Sequence, residues 1–226
     1  TPPKKSAKEA WDKFRPEFAK YAVVLMNYNG DSWPDEVKNS FQKYMTDGGG
    51  LVFYHAGVFA FADWKEFNDM MGMGWRNANQ GMRLTIDADG KEVRTPSGEG
   101  PGSGHGPSHA FGIDVRDPKH PAMEGLPAKF MHVKDELYHG MRGPLTGMHI
   151  IATAFSDKKT GGTGTNEPMV WTVPFGKGKV FVMLLGHDVA ATTAPSSAVL
   201  LGRGLEWVAT GKVTLSVPKE LAAEVK

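Results

Sequence analysis

Short apolar runs closed by glycine, asparagine or histidine alternate along this chain with stretches whose apolar positions recur every three or four residues. The first run, YAVVLMNYNG at 21–30, carries paired valines and stops at Asn29 and Gly30, which predicts a buried strand. In SWPDEVKNSFQKYMTDGGG, Val37, Phe41, Tyr44 and Met45 fall at i, i+4, i+7 and i+8, the spacing of one helix face. Ser32 is placed to cap that helix, Pro34 suits its first turn, and the three glycines end it. LVFYH at 51–55 then predicts a second buried strand. Strand, helix and strand make a βαβ unit, expected to be parallel and right-handed.

A third periodic stretch, DWKEFNDMMG, offers Asp63 and Glu66 as a capping box and Phe67, Met70 and Met71 as an apolar face. From 73 to 110 the pattern loosens. TPSGEGPGSGHGPSH at 95–109 has too much glycine and proline for a helix or strand and reads as a lid or site wall. Its histidines, His105 and His109, are four apart, but without a helix under them that spacing is a weak metal signal. AFGIDVRD at 110–117 alternates as a strand does, and MHVKDELYHG gathers Asp135, Glu136, Tyr138 and His139 in one short segment. HIIATAF at 149–155 predicts another strand. Beyond it, Met169–Val173, a turn at Phe175–Gly178 and Lys179–Leu185 predict a hairpin, and PSSAVLLGRGLEWVATG predicts an apolar helix ending at Gly211.

Composition changes this picture in only a few places. The chain has 226 residues, 40% of them hydrophobic and 23% charged, which suits one soluble globular domain. A formal net charge of +1, without a basic stripe, points away from nucleic acid and anionic membrane and towards a small-molecule partner. No apolar run approaches the roughly 18 residues needed to span a bilayer. No signal-peptide pattern follows Thr1, so a soluble protein is expected, cytoplasmic or, after removal of a signal, periplasmic or secreted. Zero cysteines exclude disulfides, thiolate metal sites and a cysteine nucleophile.

Candidate chemistry gathers at predicted strand ends. His55 closes a parallel strand at its carboxyl end, where open α/β sheets bind ligands. His109, Glu136, Glu167, His187 and Asp188 also lie at strand ends or in loops, although spacing alone does not bring them together. Adjacent carboxylates at 135 and 136 suit general acid or base work if buried, whereas on spacing alone a solvated acidic turn is the stronger reading. Trp64, Trp75 and Trp171 are candidates for stacking on a sugar ring, with core packing expected for at least two of them.

The ordered set GGGLVFYHAG, DWKEFNDMMG, HGPSHAFGIDVRDPKHPAMEGLP, DELYH, GTGTNEPMVWTVPFGKGKVFVMLLGHD and GRGLEWVATGKV resembles the ThuA-like (trehalose utilisation) family over nearly the whole chain. The resemblance implies a single α/β domain, a flavodoxin-like three-layer sandwich with a mostly parallel central sheet, related to class I glutamine amidotransferases. It places His55 at the elbow where amidotransferases carry their cysteine, so glutaminase chemistry is excluded here. It also marks Asp135, Glu136, Glu167 and His187 as site positions, and it implies sugar catabolism, notably of keto-derivatives of disaccharides. Family members usually begin with a further strand, loop and helix, so a preceding segment of roughly 40 residues, the size of a βα unit with its loops, is expected.

The resulting expectation is an enzyme that isomerises, eliminates or hydrolyses a sugar or keto-sugar. His55, Glu136 and His187 are the catalytic candidates, and Asp135, Glu167, His109, Trp64 and Asp188 the substrate contacts. A divalent ion such as zinc, held by His55, His187 and a carboxylate, is a variant of the same reading. The alternative is a carbohydrate-binding domain that keeps the fold without catalysis. A homodimer would follow if apolar helix positions proved exposed.

Overall fold

The structure is a computed structural model and describes residues 1–222. Helix α1 (Lys8–Asp12) leads to β1 (Val23–Met26), α2 (Asp35–Asp47), β2 (Gly50–Tyr54) and α3 (Lys65–Met71). A run of strands follows: β3 (Arg83–Ile86), β4 (Glu92–Thr95), β5 (Gly104–His105), β6 (His109–Val115), β7 (Lys129–Asp135), β8 (Tyr138–His139), β9 (His149–Phe155), β10 (Asn166–Phe175) and β11 (Gly178–Met183). The chain then closes with α4 (Val189–Thr193), α5 (Pro195–Thr210) and α6 (Lys219–Ala222).

Three layers are present, as expected. The side chains of β2 alternate between faces. Phe53 meets Phe67 of α3 at 5.0 Å between ring centroids, and Trp64, just before α3, packs edge-on against Phe41 of α2. On the opposite face α5 lies against β2 and β11, and Gly204 lets it approach the Phe181 ring so closely that a Cβ there would overlap the ring. Val37, Phe41, Tyr44 and Met45 are all buried, as the helical spacing of α2 predicts.

The sheet itself differs from expectation. Its order is β1-β2-β11-β10-β9-β6-β7, with β3 and β4 branching from β10, and only the β1–β2 and β2–β11 pairs are parallel. The other pairings are antiparallel, so the mostly parallel sheet is corrected to a mixed, mainly antiparallel one. The physical reason is connection length. Parallel neighbours need a long crossover, whereas no α-helix lies between α3 and α4, and β10 reaches β11 through Gly176 and Lys177 alone. Gly176 has φ +59, which favours glycine, and its Cα faces the Thr46 backbone.

Local expectations fail in three further places. Ser32 does not cap α2; Pro34 stands at the N-cap, and its carbonyl accepts from Val37 and Lys38. Asp63 and Glu66 form no capping box, because the N-cap falls one residue later, at Trp64, which has no capping side chain. The loosely patterned stretch 73–110 holds the β3–β4 hairpin, whose turn is closed by Asp87 Oδ1 accepting from the Asp89 and Lys91 N–H groups.

One buried histidine of the core makes a pH prediction. His120 is 8% exposed and packs on Trp207 of α5; its Nδ1 accepts from Ala122 N and its Nε2 has no partner. Burial lowers its pKa to about 4, with the Asp117 charge opposing. The unfolded chain therefore binds this proton below pH ~6.5 while the folded chain refuses it. Stability is complete above that pH and falls by about 3 kcal/mol as pH drops from ~6.5 to ~4. Urea unfolding across that window should show the loss, and His120→Asn should remove most of it.

Candidate active site

The carboxyl ends of the two parallel pairs supply the site's first residues. β2 stops at Tyr54, and His55 turns out of line with φ +37, a left-handed conformation that is rare and strained for a side chain of this size. Gly57 follows because a Cβ there would run into the Met26 carbonyl at the end of β1. After β11 the chain passes Leu184 and Leu185 to Gly186, φ +105, and His187. The Tyr54 hydroxyl donates to the Gly186 carbonyl at 2.7 Å, tying the two strand ends together.

The remaining residues come from the far end of the sheet. β7 lies four strands from β11 in the sheet order, yet Asp135 at its end bonds the Gly186 and His187 backbones. The sheet therefore curls until its last strand returns to its parallel part. Asp135 is the pin of this closure: it accepts from Gly186 N (2.7 Å), His187 N (3.0 Å) and Glu136 N (2.8 Å), and pairs with His132 Nε2 (2.8 Å). The other nitrogen of His132 meets Ser196 Oγ at the start of α5. Burial alone would raise the Asp135 pKa, but these hydrogen bonds outweigh it and hold the carboxyl below its usual value.

Glu136 occupies the centre. Its Oε2 lies 3.0 Å from His187 Nδ1 and 3.8 Å from His55 Nε2, and its Oε1 lies 3.6 Å from His105 Nε2. His55 Nδ1 donates to the Leu184 carbonyl at 2.8 Å, which fixes the tautomer and leaves the Nε2 lone pair facing inward. The Tyr138 hydroxyl donates to that lone pair at 2.7 Å. Burial lowers the His55 pKa, partly countered by the Leu184 bond and the nearby carboxylates, so the ring is neutral at physiological pH. Burial and the Glu136 charge raise the Tyr138 pKa, which keeps its hydroxyl protonated.

These groups line a cavity of about 470 Å³, walled also by Asn27, Asn29, Phe59 and Trp75. Trp75 stacks on Phe59 at 4.6 Å and stands edge-on to Tyr138 at 4.8 Å. The cavity thus offers an aromatic wall beside a histidine and carboxylate floor, a combination suited to a polyhydroxylated ring.

Of the expected site residues, His55, Glu136, His187 and the stacking candidate Trp75 share this cavity, and the others lie elsewhere. Asp135 is 2% exposed with both oxygens engaged and lies behind the residues that line the cavity. Glu167 is buried against Arg83, Thr163 and Gly140 N, behind β8. Asp188 caps α4 by accepting from Ala191 N. His109 bonds the Pro107 carbonyl and faces Thr160, outside the cavity. Trp64 belongs to an aromatic cluster with Trp33, Phe41, Phe61 and Phe67, at a separate cavity of about 250 Å³. Trp171 is fully buried, its Nε1 donating to Met71.

Other cavity residues are ones that the sequence names without ranking them above their neighbours. His105 enters because Gly104–His105 pairs antiparallel with Tyr138–His139 as a two-residue ladder, correcting the expectation that this loop forms no strand. Its Nδ1 donates to the Gly106 carbonyl at 2.8 Å, leaving Nε2 towards Glu136. Only a tyrosine two residues past the DE pair hinted at Tyr138, and nothing marked Trp75 above the other tryptophans.

The profile of a family described as ThuA, trehalose utilisation, matches residues 5–208. A crystal structure of a ThuA-like protein from Parabacteroides merdae is 43% identical, with a TM-score of 0.90 over 98% of this chain and 81% of that one. A ThuA-like protein from Bacteroides uniformis, 17% identical, superposes with a TM-score of 0.59 over 90% of this chain and 75% of its own. The Salmonella typhimurium protein STM3548, described as cytoplasmic, is 14% identical, with a TM-score of 0.50 over 88% of this chain and 77% of its own; both of these likenesses are of fold. No curated protein matches. Among the described residues no helix is long and apolar enough to cross a membrane.

Proposed function

The chain belongs to the ThuA, trehalose-utilisation family, whose fold is glutamine amidotransferase-like, and on that premise we propose that it is an enzyme of carbohydrate metabolism that moves a proton next to the carbonyl of a keto-sugar. The observation that carries this reading is Glu136, a carboxylate facing three histidines on the floor of a cavity with an aromatic wall. Glu136 accepts the proton from the carbon beside the carbonyl as an enolate forms. Returning it to the neighbouring carbon gives isomerisation. Breaking the C–O bond one carbon further, with a proton going to the departing oxygen, gives elimination, and water added afterwards completes hydrolysis. Tyr138, kept protonated, is placed to donate to oxygen, and Trp75 to carry the ring face. A carbohydrate-binding domain would not need a proton acceptor set among three histidines.

The test is hydrogen exchange in D2O. Keto-derivatives of trehalose and other disaccharides, with the parent sugars as controls, are incubated with the protein and followed by proton NMR. Loss of the signal from the carbon beside the carbonyl, faster than in buffer, is expected for at least one keto-sugar and for none of the parents. Buffer rates across the whole panel would overturn proton transfer as the function.

A further inference from the structure

His55, Glu136 and His187 form a group whose ligand atoms all lie within 4.8 Å of one another. We propose that His55 Nε2, Glu136 Oε2 and His187 Nδ1 hold a divalent transition ion of the zinc, cobalt or manganese class, and that the Tyr138 hydroxyl competes with it for His55. This deepens the reading above by naming the ion at the same site, and it is tested by metal content alone.

Three independent features support it. The donor set is two imidazoles and one carboxylate, which suits zinc and its neighbours better than magnesium or calcium, and it leaves room for a substrate oxygen. The Glu136 to His187 and Glu136 to His55 separations, 3.0 and 3.8 Å, bracket the ~3.3 Å between two donors on one tetrahedral zinc. The His187 side chain, 52% exposed, has room to close the remaining distance.

The surroundings prepare the same atoms. A metal-binding histidine usually donates its other nitrogen to a carbonyl or carboxylate, and His55 Nδ1 does so to Leu184. Asp135 Oδ1 accepts from the backbone N–H of both Glu136 and His187, so one buried carboxylate positions two ligands. Glu136 Oε1, on the side of His105, stays free of the ion and available as a proton acceptor. The ion would polarise the same carbonyl whose neighbouring carbon gives up its proton.

Tyr138 adds the less obvious part. Its hydroxyl donates into the very lone pair of His55 that an ion would take. Ion binding would oblige that O–H to leave His55, freeing it for Glu136 or for a substrate oxygen.

Metal content is measured on protein purified without chelator or nickel resin, and the chelator-treated protein is then titrated with Co²⁺, read by its visible absorption, and with Zn²⁺ in competition. Near one ion per chain is expected. His55→Ala and His187→Ala should each weaken Co²⁺ binding by at least about 100-fold, with circular dichroism unchanged for His187→Ala because that side chain is half exposed. Tyr138→Phe should tighten binding by about fivefold, the worth of one hydrogen bond. No binding at ~1 mM Co²⁺ or Zn²⁺, far above the affinity expected of such a site, would overturn the site, as would binding that survives both histidine substitutions. Tyr138→Phe weakening the ion would overturn the competition. Metal without sugar exchange would sink the proposed function and keep the ion; sugar exchange by a protein that binds no ion would do the reverse.

Discussion

Asp135→Ala is expected to lower the unfolding free energy by about 3–5 kcal/mol, because it strips a fully buried, charged hydrogen-bond acceptor from four donors at once. The N–H groups of Gly186, His187 and Glu136 would lose their acceptor, and His132 would keep only Ser196. The same bonds close the curl of the sheet, so the ends of β7 and β11 should separate and take Glu136 away from His187. Urea denaturation should report a lower midpoint with an unchanged slope, since the surface exposed on unfolding is the same. The pH dependence has a definite sign. The folded pKa of Asp135 is depressed, so its contribution is complete above the unfolded value of about 3.9 and is lost as pH falls through the folded value. In Asp135→Asn that part of the acid sensitivity should vanish. A loss of under 1 kcal/mol in Asp135→Ala would show that the curl is held by packing instead.

The importance of Asp135 was only half visible in the sequence, and the reason applies to the whole site. What is encoded locally could be read directly. The spacing of Val37, Phe41, Tyr44 and Met45 predicts α2, the run LVFYH predicts β2 to within a residue, and the glycines around 176 predict the β10–β11 turn. The mostly parallel sheet that the resemblance implies holds only for the βαβ unit and fails for the strands that no crossover helix connects. The DADG turn at 87–90 and the alternating EVRT after it would have revealed the β3–β4 hairpin. Site membership is harder, since it depends on the curl that lays the end of β7 beside the ends of β2 and β11. His105 and His109 look alike in sequence, but only His105 pairs with the strand beginning at Tyr138. Trp64 and Trp75 also look alike, and the packing of Phe61 and Phe67 around Trp64 decides which one reaches the cavity.

Glu136→Gln should cost about 10²–10⁴-fold in keto-sugar turnover, the range for loss of a general acid–base group, while leaving the fold intact. The substitution keeps the shape of the side chain, 14% exposed, and does not disturb the Asp135 bond to its backbone N–H. It removes the capacity to accept a proton and the negative charge between His55 and His187, and with that charge the anionic ligand of the proposed ion. A separate readout distinguishes this from damage to binding: Km should change much less than kcat, because the aromatic wall of Phe59 and Trp75 that would carry the sugar is untouched. The pH profile adds a second constraint. His55 is neutral at physiological pH through burial, so a basic limb of the wild-type profile should not follow its titration. Turnover lost in Glu136→Gln and kept when His105 is replaced by glutamine would assign the proton to the carboxylate. Turnover within threefold of wild type in Glu136→Gln would move it to one of the three histidines around it.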